Sequence, residues 1–374
     1  MIRLLAAVLA CCAAAAAAQT PQPPQVVGRA WIVGDLTSGQ ILAAEKPDER
    51  VEPASLTKLM TAYLVFGALK AKTIALEQTV TVSERAWRTP GSRMFLEPGR
   101  PVTVEELVRG MVVQSGNDAC VALAELVAGS EEKFAERMNR EAARLGMTGT
   151  RFANASGLPD PQHYSTARDL YVLAAALIRD FPEQYGTYYS QKEFRYNNIT
   201  QPNRNRLLWL DPTVDGVKTG YTEGAGYCLI ASAKRGERRL LSVLLGSTSE
   251  ATRAQESQKL LNWGFQAFDA VRLYSAADTV REIEVWKGAV RTVKAGVARD
   301  LVVTVPKGAA ERLKAELLAH SPLVAPVAAG QRVGVLRVAL EGRVIGEYPL
   351  VAREAVAQAG LVGRAWDTLR LWLK

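Results

Sequence analysis

Ser55-Leu56-Thr57-Lys58 is a string that can carry chemistry. Residues three apart on a helix share a face, so the serine hydroxyl and the lysine amine can meet. A serine needs a base to become a nucleophile. A lysine can be that base once burial or a neighbouring cation lowers its pKa toward neutrality. The pattern alone is weak, because Ser-x-x-Lys arises about once by chance in a chain of this length. A second copy, Ser130-Glu131-Glu132-Lys133, reads instead as a helix start, its acids favouring the N-terminal dipole. Two further strings single out the first copy. Ser115-Gly116-Asn117 lies 60 residues beyond Ser55, between two helical stretches. Its hydroxyl can relay a proton and its amide can hold a peptide backbone, although Ser-x-Asn by itself is commonly a helix cap. Lys218-Thr219-Gly220 ends a strand 103 residues later. There a cation, a hydroxyl and a residue without Cβ would let a peptide lie alongside.

The elements around these strings predict their framework. Strand-like Val27–Val33 and apolar Ile41–Ala44 flank the turn Asp35–Gly39, a β-hairpin pattern. From Pro53 onward, Leu56, Leu59, Met60, Tyr63 and Leu64 recur at helical spacing, with Pro53 and Ser55 as start signals. Helical segments follow at Val104–Val113, Asp118–Val127, Glu131–Leu145 and Thr166–Ile178. Strands return at Val214–Lys218, Tyr227–Ala233 and Arg239–Leu245, and a helix at Glu250–Phe268 closes the segment. This order predicts an α/β domain of the α+β type over 27–269, one antiparallel sheet flanked by helices. Residues 270–352 are different: Ile283–Trp286, Thr292–Ala295, Leu301–Val305, Arg332–Leu340 and Arg343–Leu350 read as short strands of a small β-rich domain. Residues 353–374 form a third segment. At 100° per residue, Val362, Ala365, Trp366, Leu369, Trp372 and Leu373 share one face, with Arg364, Asp367, Arg370 and Lys374 opposite. That suits a helix lying in a membrane interface, or one docked on the protein's own surface.

Composition bounds the rest. The chain has 374 residues, 48% hydrophobic and 22% charged, which excludes disorder as its main state. Net charge is +8 with the charges scattered, so no nucleic-acid stripe is present and no nucleic-acid partner is expected. His163 and His320, both read as surface or loop residues, have no Cys/His cluster beside them, and no metal site or cofactor is expected. Residues 1–18 read as a secretory signal: Arg3, an apolar run from Leu4, and small residues up to Ala18. A lipoprotein cut before Cys11 is the rival, and Val8-Leu9-Ala10-Cys11 matches it poorly. Removal of the signal takes Cys11 and Cys12 with it and leaves Cys120 and Cys228, read as two buried thiols. Residues 19–26 read as a Pro/Gln linker without means of packing.

Taken together, Ser55-x-x-Lys58, Ser115-Gly116-Asn117 and Lys218-Thr219-Gly220 stand in the order and spacing of the penicillin-recognising serine enzymes, which the chain resembles. Within them it is most similar to the low-molecular-mass penicillin-binding proteins that are D-alanyl-D-alanine carboxypeptidases, peptidase family S11. Pro53-Ala54-Ser55-Leu56-Thr57-Lys58-Leu59-Met60, Gln114–Cys120, Asp215–Gly220 and the segment from Arg253 to Leu261 carry that likeness. The resemblance implies a periplasmic hydrolase, tethered to the inner-membrane surface, that trims peptidoglycan stem pentapeptides and is acylated by β-lactams. It implies Ser55 as nucleophile, Lys58 as base, and Ser115 with Lys218 as the proton route to the departing D-alanine. Asn117 would hold the substrate amide, and backbone N–H groups of Ser55 and Tyr221 would form the oxyanion hole. Thr219 and Arg253, beside Gly220, would hold the free carboxylate. Several relatives carry histidine where this chain has Tyr221. A class A-type β-lactamase would need a Glu-x-x-Leu-Asn string, which is missing between Ser115 and Lys218. A non-catalytic wall-binding protein would not need a nucleophile–base pair. A DD-endopeptidase of the same family remains open, since groove shape decides it.

Overall fold

Alternating side chains along the long strands give this protein a sheet with two dry faces. A computed structural model describes residues 21–319 and 321–372. The expected signal (1–18) with Cys11 and Cys12, and the positions His320, Leu373 and Lys374, lie outside the described residues. The chain divides into two units, Pro23–Gln266 and one that contains Ala267–Lys374.

In the first unit, β1 (Ala30–Asp35), β2 (Gln40–Glu45), β3 (Val214–Thr222), β4 (Gly226–Arg235) and β5 (Arg238–Ser247) pair antiparallel in the order β2-β1-β5-β4-β3. Ile32, Ile230 and Val243 face one side. Trp31, Val33, Leu244, Leu229 and Leu240 face the other. The first side is covered by α1 (Lys58–Lys70), α2 (Val104–Val112), α3 (Asn117–Ala128), α4 (Glu131–Leu145) and α5 (Ala167–Asp180). The second is covered by α6 (Glu250–Ala267) through Leu260 and Leu261. Helix α1 buries Leu59, Met60, Ala62, Val65 and Phe66 with no polar stripe, as a helix enclosed by others must. A capping box of Thr103 and Glu106 starts α2, and Ser130 caps α4 as its sequence predicts. Left-handed Gly129 and Gly146 stop α3 and α4.

Three local expectations are corrected. The helix predicted from Pro53 begins as a 3-10 turn, Ala54–Thr57, and becomes α-helical only at Lys58. Lys218-Thr219-Gly220 does not end its strand, because β3 runs on to Thr222 in register with β4. The segment before β1 is pinned rather than free of packing: Val26 lies against the Trp31–Leu260 cluster and Lys259 Nζ donates to the Gln25 carbonyl at 3.0 Å.

The second unit holds β6 (Phe268–Tyr274), β7 (Arg281–Trp286), β8 (Thr292–Val297), β9 (Leu301–Pro306), β10 (Leu313–Ala319), β11 (Leu323–Val324), β12 (Arg332–Leu340) and β13 (Arg343–Ala352). A six-stranded sheet has the order β10-β12-β13-β8-β7-β11, and β6 pairs with β9. Glu341 and Gly342 both have positive φ, as the tight hairpin between β12 and β13 requires. Strands β6, β10 and β11 carry no counterpart in the sequence expectations, although Leu313-Lys314-Ala315-Glu316-Leu317 in β10 alternates as a half-buried strand does. Helix α7 (Leu361–Trp372) follows, and its Asp367 accepts from the Lys287 N–H at 2.7 Å while Arg370 lies 5.3 Å from the Trp286 ring. Its polar side thus faces protein, and Leu361, Val362, Trp366, Leu369 and Trp372 are exposed. No helix among the described residues is long and apolar enough to cross a membrane.

The first unit depends on a buried ion pair at one end of its sheet. Asp35 is fully buried, and Arg238 Nε donates to its Oδ2 at 2.7 Å. Arg238→Met leaves that carboxylate buried without its guanidinium, so chemical denaturation is expected to show a loss of about 3–5 kcal/mol.

Candidate active site

The nucleophile turn is held by the absence of side chains on both sides. At Gly220, a Cβ would sit 3.2–3.3 Å from Leu56, Ala54 and the Pro53 carbonyl, so the edge strand β3 packs against the turn itself. The missing side chain serves that approach, where the sequence suggested room for a peptide. Opposite, Gly157 has φ +87°, and a Cβ there would clash with the Ala54 carbonyl. The turn presents Ser55 at its surface while Leu56, Thr57 and Lys58 point into protein.

Lys58 is 2% exposed, and its Nζ lies 2.9 Å from Ser55 Oγ, 2.7 Å from Asn117 Oδ1 and 2.6 Å from the Ser156 carbonyl. Burial holds its pKa down at about 8 from the usual lysine value, with the Arg204 charge adding to the effect and Cys120 and Asp118 opposing it. A neutral amine keeps two N–H donors, which the Asn117 and Ser156 oxygens take. Its lone pair then faces the Ser55 hydroxyl, the orientation a general base needs.

Ser115 sits between α2 and α3 at φ +66°, a left-handed conformation rare for a residue with a Cβ. Its Oγ is buried and has no hydrogen-bond partner among the described residues. Asn117 opens α3. One N–H of its amide donates to the Pro90 carbonyl at 2.7 Å, and its oxygen accepts from Lys58. Lys218 is buried, donates to the Thr219 carbonyl at 3.1 Å, and has its pKa lowered well below the usual value by burial and by the Lys58 and Arg204 charges.

Ser55, Ser115, Asn117, Thr219, Gly220, Tyr221 and Arg253 all line one open cavity of about 360 Å³, so the three distant strings converge. Lys58 and Lys218 lie behind its wall. Tyr221 is 52% exposed, with its ring 4.5 Å from that of Tyr227. Arg253 is 4% exposed and already engaged: its Nη atoms donate to the Gly220 and Arg204 carbonyls, each at 3.3 Å, and its guanidinium lies 5.6 Å from the Tyr227 ring. It therefore ties the edge strand to the segment carrying Arg204.

Sequence reasoning missed several parts of this site. Arg204 is exposed and lines the same cavity, yet no motif surrounds it. The loop Phe152–Leu158 brings the Ser156 carbonyl to Lys58. Asn154 Oδ1 organises it by accepting from the N–H groups of Ser156, Gly157 and Leu158 at 3.2, 2.7 and 3.2 Å. Asn139 binds both the N–H and the carbonyl of Phe152. His163, placed at the surface or in a loop by sequence, is in a loop but only 3% exposed, and its Nε2 lies 2.8 Å from Thr57 Oγ1. Cys120 and Cys228 are free buried thiols.

Burial lowers the His163 pKa to about 4 from 6.5. Between those values the unfolded chain binds a proton that the folded protein refuses, so stability falls as pH drops from 6.5 to 4. The contribution approaches ~3 kcal/mol. Denaturation midpoints measured across that window are expected to flatten in His163→Gln relative to the parent protein.

Known proteins resemble this chain along most of its length. The family described as D-alanyl-D-alanine carboxypeptidase, peptidase S11, matches residues 17–249, and the penicillin-binding protein 5 C-terminal domain matches 268–358. The D-alanyl-D-alanine carboxypeptidase DacC of Escherichia coli is 47% identical over 93% of this chain and 89% of its own length. The crystal structure of penicillin binding protein 5 from Haemophilus influenzae superposes with a TM-score of 0.87 at 42% identity, covering 90% of this chain and all of that one. Penicillin-binding protein D2 of Listeria monocytogenes in its ampicillin-bound form matches with a TM-score of 0.60 at 31% identity, covering 66% of this chain and 100% of that one. The family match over residues 17–249 and the 47% identity over 93% of the chain thus place this protein in the D-alanyl-D-alanine carboxypeptidase family, peptidase family S11.

Proposed function

We propose that this protein is a serine-type D-alanyl-D-alanine carboxypeptidase that removes the terminal D-alanine from peptidoglycan pentapeptides. The observation that carries the reading is the 2.9 Å approach of a buried Lys58 amine, its pKa lowered to about 8, to the Ser55 hydroxyl. Ser55 Oγ attacks the carbonyl carbon between the two D-alanines, and its proton passes to Lys58. Backbone N–H groups of Ser55 and Tyr221 take up the oxyanion, which needs donors aimed at developing charge. The C–N bond then breaks, and the proton reaches the departing amine through Ser115 Oγ with Lys218 nearby. Asn117 holds the substrate amide, for which one N–H of its side chain remains. Thr219 and Arg253 hold the free carboxylate, in a cavity whose charged lining is cationic and includes Arg204. Water attacks the ester and restores Ser55. A β-lactam enters the same first steps and remains on Ser55, in keeping with the ampicillin-bound relative.

We further infer a periplasmic location at the inner-membrane surface. The signal pattern of residues 1–18 supports the compartment. The exposed Val362, Trp366, Leu369 and Trp372 of α7 support interfacial binding, because their face has no protein cover among the described residues.

Two results check these readings. Acylation by a fluorescent penicillin is expected to rise about tenfold per pH unit below pH 8 and level off above it, since the neutral fraction of Lys58 sets the rate; Ser55→Ala abolishes both acylation and D-alanine release. In flotation assays with phospholipid vesicles, Trp366→Ala with Trp372→Ala is expected to release the protein while leaving D-alanine release from a soluble pentapeptide unchanged.

A further inference from the structure

His163 lies beneath the nucleophile turn and joins two segments that the chemistry needs in register. Its Nε2 is 2.8 Å from Thr57 Oγ1, inside the turn that carries Ser55 and leads into Lys58. Its Nδ1 accepts from the Ala153 N–H at 3.4 Å, at the start of the loop that delivers the Ser156 carbonyl to Lys58. An N–H can only donate, so Nδ1 carries the lone pair and the ring proton sits on Nε2, where it donates to Thr57. Its own backbone N–H donates to the Asp160 carbonyl at 2.9 Å, and the ring meets the edge of Phe152 at 5.7 Å, which fixes its plane. Next to it, paired bonds between Val51 and Ser165 at 2.9 Å lock the segment entering the nucleophile turn to the same stretch.

We propose that His163 is a positioning residue for acylation: the neutral imidazole bridges Thr57 and Ala153 and so sets the distance between the Ser55 hydroxyl, the Lys58 amine and the Ser156 carbonyl. The inference rests on the Ser55–Lys58 reading and adds to it a group that touches no substrate. Its burial and the nearby Lys58 charge keep it neutral across the working pH range. Among titratable and charged groups, Lys58 from α1 and Asp160 from its own loop face it. Geometry of this kind is worth a great deal, since a misplacement of about 1 Å can cost on the order of a hundredfold in rate.

The bridge needs one acceptor and one donor on a side chain of this reach, and a glutamine amide offers both. The second-order acylation constant for a fluorescent penicillin and kcat for D-alanine release would be measured on the parent protein, His163→Gln, His163→Leu, Thr57→Val and the double variant His163→Leu/Thr57→Val, with melting temperatures alongside. The proposal expects His163→Gln to stay within about threefold of the parent. It expects His163→Leu and Thr57→Val each to lose on the order of a hundredfold, chiefly in kcat, and the double variant to lose no more than either alone. Equal loss in the Gln and Leu variants, full acylation by folded His163→Leu, or additive losses in the double variant would overturn it. Should His163→Leu not fold, full activity in Thr57→Val or a hundredfold loss in His163→Gln overturns it on the same scale. A parent protein that is not acylated at all would overturn the serine–lysine reading together with this one.

Discussion

A lysine amine that must be buried, yet not permanently charged, is the constraint around which the first unit is arranged. Taking an ammonium out of water costs several kcal/mol unless oxygens surround it, and too strong a cage would hold the proton on. Lys58 resolves this with three neutral oxygens and no carboxylate in direct contact: a hydroxyl, an amide and a backbone carbonyl. Each comes from a different part of the chain. The turn before α1 supplies Ser55, the start of α3 supplies Asn117, and the loop after α4 supplies Ser156. Burial, and after it the positive charge of Arg204, loosen the same proton, so a cavity lined by Arg204 and Arg253 both lowers the pKa of the base and suits an anionic ligand.

That arrangement explains why glycine and strain gather where they do. The nucleophile turn lies between the edge strand and the Ser156 loop at a spacing that leaves no room for a Cβ at Gly157 and little at Gly220. Ser115 is held left-handed between two helices, and Gly116 behind it would meet Asp118 Oδ1 at 2.8 Å if it carried a side chain. Asp118 in turn accepts from the Met94 and Leu96 backbone, anchoring the segment that passes in front of α3. Local conformational cost is accepted there because the surrounding packing over-determines it.

The second unit follows a different logic. Its strands bury two small apolar clusters, and its last helix turns Asp367 and Arg370 inward onto β7 and the turn after it while presenting tryptophans outward. A surface helix ordinarily buries its apolar stripe. Reversal of that pattern on a folded support leaves the apolar face for something other than the protein's own core.

Much of this was legible in the residues alone, and the reason is physical. Ser55, Lys58, Ser115, Asn117, Lys218 and Thr219 belong to short strings, set by one helical turn, one interhelical corner or one strand step, so their side-chain types announce chemistry. The α/β order of the first unit was legible because Ile32 against Trp31, and Ile230 against Leu229, alternate between two cores. What folding alone decided are the groups that act through position. Ser156 contributes a carbonyl, which every residue possesses; Gly157 contributes an absence; Asn154 and Asn139 bind backbone. Nothing about His163 beside Gln162 and Tyr164 distinguishes it from a surface residue until the chain brings it under Thr57. Arg253 was visible as a cation, but its grip on the Gly220 and Arg204 carbonyls depends on α6 crossing behind β3. Residue type and local spacing carry the reactive groups, whereas the backbone carbonyl, clearances and burial that let one lysine shed its proton come from segments far apart in sequence, Ser156 standing 98 residues from Lys58, which only the tertiary structure brings together.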